Sequence, residues 1–324
     1  MSASFPKRAL VTGASGFIGR ALCLELTNRD WDVAAMLRRP QTGPWGHVLE
    51  CDLGRDEIDP QNLDGVDTIF HLAGKAHTRA RNAAEKAEYE AVHVHGTRSL
   101  LRAARQAGVR ACVLLSSVKA MGEGGVEAWD ESTPCSPQNP YGITKLAAER
   151  IVLEELPLSC SVVLRPTLVY GAGSKGNLDL MIRAVQKGVF PSVAFPANGR
   201  SMIHVQDVVQ ACLLAATNPA ACGQVYVLTD GNEYSTKEML AWIHEALGKK
   251  NGLFLPFGAL EVLAALGDIA ERFGIRSPFN RDRLDKLAGS ARYSNAKICR
   301  ELEFAPSWDL RRGINEMVEG LRRK

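Results

Sequence analysis

Hydrophobic positions alternate between two kinds of spacing up to about residue 170. Short apolar runs predict strands at 8–12, 32–37, 47–51, 68–72, 112–115 and 161–164. Between these runs, apolar residues at helical spacing predict helices that start near Phe17 and that cover 83–107 and 141–155. Strands that alternate with helices indicate the α/β class, with a doubly wound parallel sheet that carries helices on both faces.

After Gly171 this rhythm changes. Loops rich in Gly, Pro and Asn occupy 173–176 and 191–199, a helix is predicted at 205–217 and a strand at 224–228, and from 235 the pattern is mainly helical. We therefore expect a sheet domain formed by 1–170 plus 204–230. A smaller, mainly helical C-terminal domain would comprise 171–203 plus 231–324.

Composition places the 324-residue chain among soluble globular proteins, with 46% hydrophobic and 23% charged residues. The net charge is only +3 and the basic residues are scattered, which argues against a nucleic-acid partner. The apolar stretch 252–269 is interrupted by Glu261 and Asp268, so a membrane span is not expected. Because the N-terminus lacks the shape of a signal peptide, we expect a cytoplasmic protein.

The cysteines give no sign of a metal site. There are eight, none of them in a CxxC pair, and no histidines cluster at metal-ligand spacing. Most lie among apolar residues, so we expect reduced thiols in the core. The eight are Cys23, Cys51, Cys112, Cys135, Cys160, Cys212, Cys222 and Cys299.

A glycine-rich segment joins the first predicted strand to the first predicted helix. Its pattern is GxxGxxG, and its members are Gly13, Ser15, Gly16, Phe17, Ile18 and Gly19. Glycine lets backbone N–H groups approach a pyrophosphate, and the helix N-terminus adds a partial positive charge. The position of the motif predicts a dinucleotide in a Rossmann-type domain; a tight turn without a ligand is the alternative.

Cofactor preference is expected to show at the end of the second strand, where an acidic residue would bind the ribose of NAD. The strand ends instead in Arg38 and Arg39, and a guanidinium suits a 2′-phosphate. We therefore favour NADP over NAD, unless both arginines point to solvent. Asp52 and Leu53 follow the third strand near the expected adenine, and Leu72, Ala73 and Gly74 would let the backbone lie along the cofactor.

A YxxxK pattern places Tyr141 and Lys145 on one face of a predicted helix. A phenol has a pKa of about 10, and a nearby ammonium lowers it by favouring the phenolate. Tyr141 is then expected to exchange a proton with a substrate oxygen while Lys145 also binds the nicotinamide ribose. Ser117, after the fifth strand, is expected to hold the same oxygen.

Together these segments resemble the extended short-chain dehydrogenases/reductases, in the nucleotide-sugar epimerase/dehydratase group. The resemblance is carried in family order by 11–19, 71–74, 116–117, 140–145, 165–171 and 203–207. It implies an NAD(P)-dependent enzyme with the catalytic triad Ser117, Tyr141 and Lys145, and with Pro166 and Thr167 beside the nicotinamide amide. It also implies a homodimer that pairs the helices at 83–107 and 141–155.

His93 departs from the family pattern, because the family usually has asparagine there to order the active site. A packing role and a functional role for His93 are equally compatible with the sequence.

The resemblance also implies a UDP-linked sugar held between the two domains. Asn177 and Arg200 match residues that bind the diphosphate, although Arg200 would otherwise be a surface arginine. A second cation is expected from Arg281, Arg283 or Arg292. His77 and Lys119 would line the sugar pocket, with a loop residue and a solvent-facing lysine as the alternatives.

Dehydratases of this group carry an Asp-Glu pair directly after the catalytic Ser or Thr. Here those positions are Val118 and Lys119, which cannot do that acid–base work. Segments 75–77, 116–123 and 170–177 resemble 4-keto reductases that form UDP-N-acetylquinovosamine for surface polysaccharide such as lipopolysaccharide O-antigen. A UDP-hexose 4-epimerase with tightly held NAD is the alternative, and a non-catalytic NAD(P)-binding regulator is the third candidate.

Overall fold

The computed structural model describes residues 7–74, 83–193, 195–249, 254–273, 277 and 280–322. Its strands are β1 (Arg8–Thr12), β2 (Asp32–Leu37), β3 (His47–Glu50), β4 (Thr68–His71), β5 (Ala111–Leu115), β6 (Cys160–Pro166), β7 (Leu168–Tyr170), β8 (Ser192–Val193), β9 (Arg200–His204), β10 (Val225–Leu228), β11 (Glu233–Tyr234) and β12 (Phe254–Leu255). Its α-helices are α1 (Phe17–Asn28), α2 (Ala83–Glu90), α3 (Thr97–Gln106), α4 (Pro140–Arg150), α5 (Asn177–Gln186), α6 (Val205–Thr217), α7 (Thr236–Leu247), α8 (Phe257–Arg272), α9 (Arg281–Ala288), α10 (Ala296–Leu302) and α11 (Leu310–Arg322).

The main sheet is parallel and doubly wound. Its strand order is β10-β6-β5-β4-β1-β2-β3, and every adjacent pair runs in the same direction. The chain turns back at β1, which pairs with both β2 and β4. In such sheets ligands bind beyond the carboxyl ends of the strands at this switch point. The expected Rossmann-type α/β fold is confirmed.

Both faces of the sheet are buried, as a parallel sheet requires. Successive residues of β1 serve opposite faces: Ala9 and Val11 belong to the core shared with α1 and α6, whereas Leu10 belongs to the core shared with α3 and α4. This alternation explains why the strands read as continuous apolar runs in the sequence.

The segments beyond the main sheet form two small sheets and most of the C-terminal helices. Strands β11, β9 and β7 make one sheet, and β12 with β8 makes the other. A third apolar core joins α5, α7 and α11 to them. Across the described residues, every helix is too short or too polar to span a bilayer. The division of the chain into two domains at the expected boundaries stays a prediction.

Two helices contain a π-helical turn that the sequence pattern did not indicate. Between α2 and α3 the turn covers Ala91–Gly96, and after α4 a second one covers Ile151–Glu155. Such turns are frequent at functional sites because they displace the helix by one residue. The first turn carries His93.

The prediction that all eight cysteines are reduced is wrong for one pair. Cys160 and Cys222 form a disulfide, with their Cα atoms 4.6 Å apart. Their proximity arises because β6 and β10 are parallel neighbours, and Gly223 N–H donates to the Ser161 carbonyl at 2.8 Å. The other six cysteines are free thiols, namely Cys23, Cys51, Cys112, Cys135, Cys212 and Cys299.

Candidate active site

The glycine-rich turn lies against the segment that follows β4. Gly13 has a φ of +68°, and a Cβ there would lie 2.8 Å from the Ala73 nitrogen. A Cβ at Gly19 would lie 2.2 Å from the Gly13 carbonyl oxygen. Gly16 precedes α1 and has no side chain to cap the first-turn N–H groups. The turn can therefore present backbone N–H groups and a helix N-terminus to an anion, as a pyrophosphate requires.

A buried chain of hydrogen bonds fixes the ends of β1 and β4 relative to the first π turn. Thr97 Oγ1 donates to the His93 carbonyl at 2.6 Å, so it accepts from His71 Nε2–H at 2.9 Å. His71 Nδ1 then accepts from Thr12 Oγ1 at 2.7 Å, and Thr12 Oγ1 accepts from Ala73 N–H at 3.0 Å. Burial lowers the pKa of His71 to about 3, which keeps the ring neutral in this single tautomer.

Tyr141 lies in the first turn of α4 and shares a side-chain hydrogen bond with Ser117. The helix starts here because Pro140 occupies its first position and Asn139 Oδ1 accepts from Gly142 N–H at 2.8 Å. Burial raises the pKa of Tyr141 to about 12, and the Ser117 bond opposes that rise only in part. The predicted lowering of the pKa by Lys145 is wrong for this state of the protein.

Lys145, the other member of the YxxxK pair, is itself buried. Its Nζ donates to the Leu115 carbonyl at 2.8 Å, and the residue is 4% exposed. Burial lowers the pKa of Lys145 to about 8, and the charge of Glu149 opposes that effect. Desolvation is therefore the largest cause of the pKa shift of both Tyr141 and Lys145.

His93 packs against the candidate catalytic tyrosine, with ring centroids 5.6 Å apart. The Thr144 hydroxyl donates to the Pro140 carbonyl at 3.0 Å, so it accepts from His93 Nδ1–H at 2.9 Å. The buried Nε2 is left as an acceptor without a hydrogen-bond partner among the described residues. A Cβ at Gly74 would lie 3.0 Å from this Nε2, which therefore faces the segment expected along the cofactor.

The remaining cofactor candidates line the carboxyl edge of the sheet. Arg38 is exposed directly after β2, and Leu53 is buried after β3. Asp52 Oδ2 lies 3.8 Å from Arg55 Nε. Thr167 follows β6, whose last residue is Pro166, and the Thr167 N–H and hydroxyl both donate to the Leu228 carbonyl at 3.0 Å.

The candidate substrate residues described by the structure lie outside the strands of the main sheet. Asn177 is the exposed first residue of α5. Arg200 begins β9, and its Nη1 donates to the Gly289 carbonyl at 3.0 Å. Lys119 Nζ pairs with Glu123 Oε2 at 2.6 Å. His77 lies outside the described residues.

Among the arginines considered for the second cation, Arg292 is the one beside Arg200 in the fold. Arg200 forms a parallel β-bridge with Ala291, the residue before Arg292. Arg281 lies in α9, 4.0 Å from an oxygen of Asp268, and Arg283 lies in the same helix. The sequence pattern could not decide among them, because the bridge joins segments about ninety residues apart.

Comparison with known proteins identifies the family. The model of the NAD dependent epimerase/dehydratase family matches residues 9–229. The chain belongs to this family. The matched residues include the glycine-rich turn and α4, and the expected family resemblance is confirmed: the chain is an NAD-dependent enzyme of this family.

Individual relatives of this epimerase/dehydratase extend over nearly its whole length. It is 28% identical to a UDP-glucose 4-epimerase of Vibrio cholerae, over 97% of this chain and 95% of that protein. It is 30% identical to a 4-hydroxy-2-methyl-3-oxo-4-farnesyl-3,4-dihydroquinoline-1-oxide ketoreductase of Stigmatella aurantiaca, over 96% of this chain and 95% of that protein. The solved structure of MoeE5 in complex with UDP-glucose and NAD is similar with a TM-score of 0.77 and 28% identity, covering 98% and 99% of the two chains.

Proposed function

We propose that this enzyme uses NADPH to reduce the C4 keto group of a UDP-4-keto-6-deoxy-N-acetylhexosamine for surface polysaccharide synthesis. The observation that carries the proposal is the hydrogen bond between the side chains of Tyr141 and Ser117, which together can offer a ketone oxygen two hydroxyl donors. Burial also raises the pKa of Tyr141 to about 12. Reduction of a ketone needs a proton donor at the oxygen, and a protonated phenol can serve as that donor.

The three candidate catalytic residues divide the work. NADPH, when bound along the glycine-rich turn, would supply the hydride for C4 of the sugar. The Ser117 hydroxyl, which is hydrogen-bonded to Tyr141, holds the C4 oxygen beside the phenol. Tyr141 gives its proton to that oxygen as negative charge develops there. Lys145, one helical turn further along α4, would bind the nicotinamide ribose.

Two features of the candidate cofactor cleft support NADPH as the reductant. The glycine-rich turn and the uncapped N-terminus of α1 suit a pyrophosphate. Exposed Arg38 follows β2 at the position where an acidic residue would select NAD, and a guanidinium there can bind a 2′-phosphate.

The nucleotide of the substrate would lie between the two proposed domains. Arg200 pairs through the β9 bridge with Ala291, the residue before Arg292, and two guanidinium groups can neutralise a diphosphate. Asn177 at the start of α5 supplies a third polar contact. Val118 and Lys119 stand where a dehydratase has its Asp-Glu pair, and neither side chain can do the acid–base work of elimination.

A UDP-hexose 4-epimerase is the second candidate, because the Vibrio cholerae relative has that activity and aligns over 97% of this chain. The same triad would serve, but Tyr141 would first have to accept a proton. The absence of an acidic residue after β2, where Arg38 stands, favours NADPH over tightly held NAD and therefore favours reduction.

One set of reactions separates the candidates. Purified enzyme is incubated with UDP-4-keto-6-deoxy-N-acetylglucosamine and NADPH, and in parallel with UDP-glucose or UDP-N-acetylglucosamine without added cofactor. We expect oxidation of NADPH and a reduced sugar in the first reaction. A galacto-configured product in the parallel reactions, with no oxidation of NADPH in the first, would replace the reductase proposal with the epimerase.

A further inference from the structure

One buried carboxylate, that of Glu149, binds two other side chains close to the candidate site. Arg165 Nη2 donates to Glu149 Oε2 at 2.6 Å, and Arg165 Nε donates to Oε1 at 3.0 Å. The Ser116 hydroxyl also donates to Oε1. The side chains of Arg165 and Glu149 are 6% and 3% exposed, so this fork-shaped ion pair is almost completely removed from solvent.

Each group in this cluster is next to a candidate catalytic or cofactor residue in the chain. Ser116 directly precedes Ser117 at the end of β5. Arg165 is followed by Pro166 and Thr167 at the end of β6. Glu149 itself lies on α4, four residues after Lys145.

Glu149 also shares a helix face with the YxxxK pair. Tyr141, Lys145 and Glu149 are spaced four residues apart along α4, so their side chains stack on one side of the helix. This spacing is visible in the sequence, although the partners of the carboxylate are not.

We propose that Glu149 is a positioning residue that holds α4, the end of β5 and the end of β6 in the one arrangement in which the candidate site can work. This inference rests on the proposed function only where turnover of a UDP-sugar is measured. A buried ion pair contributes little to stability compared with apolar residues of similar volume, whereas it does specify one geometry. A displacement of about 1 Å at a catalytic group can reduce the rate about 100-fold.

The carboxylate acts electrostatically as well as sterically. It lies beside the Lys145 ammonium, and its negative charge opposes the effect of burial on that group. Removing the charge would therefore leave Lys145 deprotonated at a lower pH than in the parent enzyme. A residue that served packing alone would not change this titration.

The first test compares two glutamates of the same helical segment. Glu149→Gln is expected to weaken NADH binding at least about tenfold and to reduce kcat about 100-fold. The alkaline limb of its pH–rate profile is expected to move to lower pH. The control is Glu155→Gln, because Glu155 is 47% exposed and pairs with Arg98 at 2.7 Å away from the cluster. The control variant should keep the affinity, the turnover and the profile of the parent.

A second variant separates positioning from folding. Glu149→Met combined with Arg165→Met replaces the ion pair by apolar side chains, and its melting temperature is expected to stay near that of the parent. We expect this double variant to fold and still to lose NADH affinity and turnover. A double variant with the NADH affinity and turnover of the parent would overturn the proposal. If the parent binds NADH but reduces no UDP-sugar, the proposed function fails, and the NADH titrations alone still decide the role of Glu149.

Discussion

The ammonium of Lys145 donates a hydrogen bond to the backbone carbonyl of Leu115 across 2.8 Å. This contact joins the middle of α4 to the last residue of β5, two residues before Ser117. It removes the ammonium from solvent, and burial lowers the pKa of Lys145 to about 8. The candidate proton donor Tyr141 has its pKa raised to about 12 by the same cause.

These two shifts predict the pH dependence of turnover. Tyr141 stays protonated from about pH 6 to about pH 10, so its ionisation does not change the rate in this range. Lys145 loses its proton above about pH 8, and with it the ammonium that would bind the nicotinamide ribose. We expect kcat/KM for reduction to be level below about pH 8 and to fall above it. A profile that stays level to about pH 10 would contradict the assigned role of Lys145.

Removal of the Tyr141 hydroxyl is expected to separate chemistry from binding. Tyr141→Phe should reduce kcat by about 10²- to 10⁴-fold, the usual contribution of a general acid. The affinity for NADPH, measured by fluorescence titration, should change little. Tyr226→Phe is the matched control. Tyr226 lies on the edge strand β10, and its hydroxyl donates to Glu301 at 3.0 Å. Equal losses of turnover in the two variants would point to a general effect of losing a tyrosine hydroxyl.

Cofactor preference should depend on Arg38. A charge-assisted contact to a 2′-phosphate contributes about 1.5–3 kcal/mol. Arg38→Ala is therefore expected to weaken the binding of NADPH at least about tenfold, while the binding of NADH stays constant. Arg29→Ala supplies the control, since Arg29 is an exposed arginine that pairs with Glu25 at 2.7 Å. Equal efficiencies of NADPH and NADH in the parent enzyme would refute the assignment of Arg38.

The Cys160–Cys222 disulfide can be tested by thiol labelling. Alkylation of the unfolded, non-reduced protein should modify the six free cysteines and leave two unmodified. Cys222→Ser is expected to lower the free energy of unfolding by up to about 4 kcal/mol, because the bond closes a loop with a sequence separation of 62. Modification of all eight cysteines would show that the pair is reduced in the purified protein.

Local sequence patterns predicted the helices and strands of this protein better than they predicted its tertiary contacts. The bounds of β1, β2 and α6 match the predicted 8–12, 32–37 and 205–217, because periodicity and capping act within a few residues. The same holds for the start of α1 at Phe17. The prediction of a parallel, doubly wound sheet followed from the alternation of strands with helices, because parallel strands need helical crossovers.

What the sequence could not provide depends on distant segments. The predicted direction of the pKa shift of Tyr141 was wrong, because the ring is buried by tertiary packing against Tyr89 and His93. The disulfide required knowledge that β10 lies beside β6. Helical spacing alone could have drawn attention to Glu149, but its partner Arg165 lies on a different element.

The central claim is that hydride reaches C4 of the sugar while Tyr141 supplies the proton. Transfer of deuterium from NADPH labelled at the nicotinamide C4 tests it most directly, with the UDP-4-keto sugar as acceptor and the product analysed by NMR. The account predicts that the parent enzyme places the label at C4 of the sugar and that Tyr141→Phe places almost none there. Oxidised cofactor without label at C4, or equal labelling by the Tyr141→Phe variant, would contradict it.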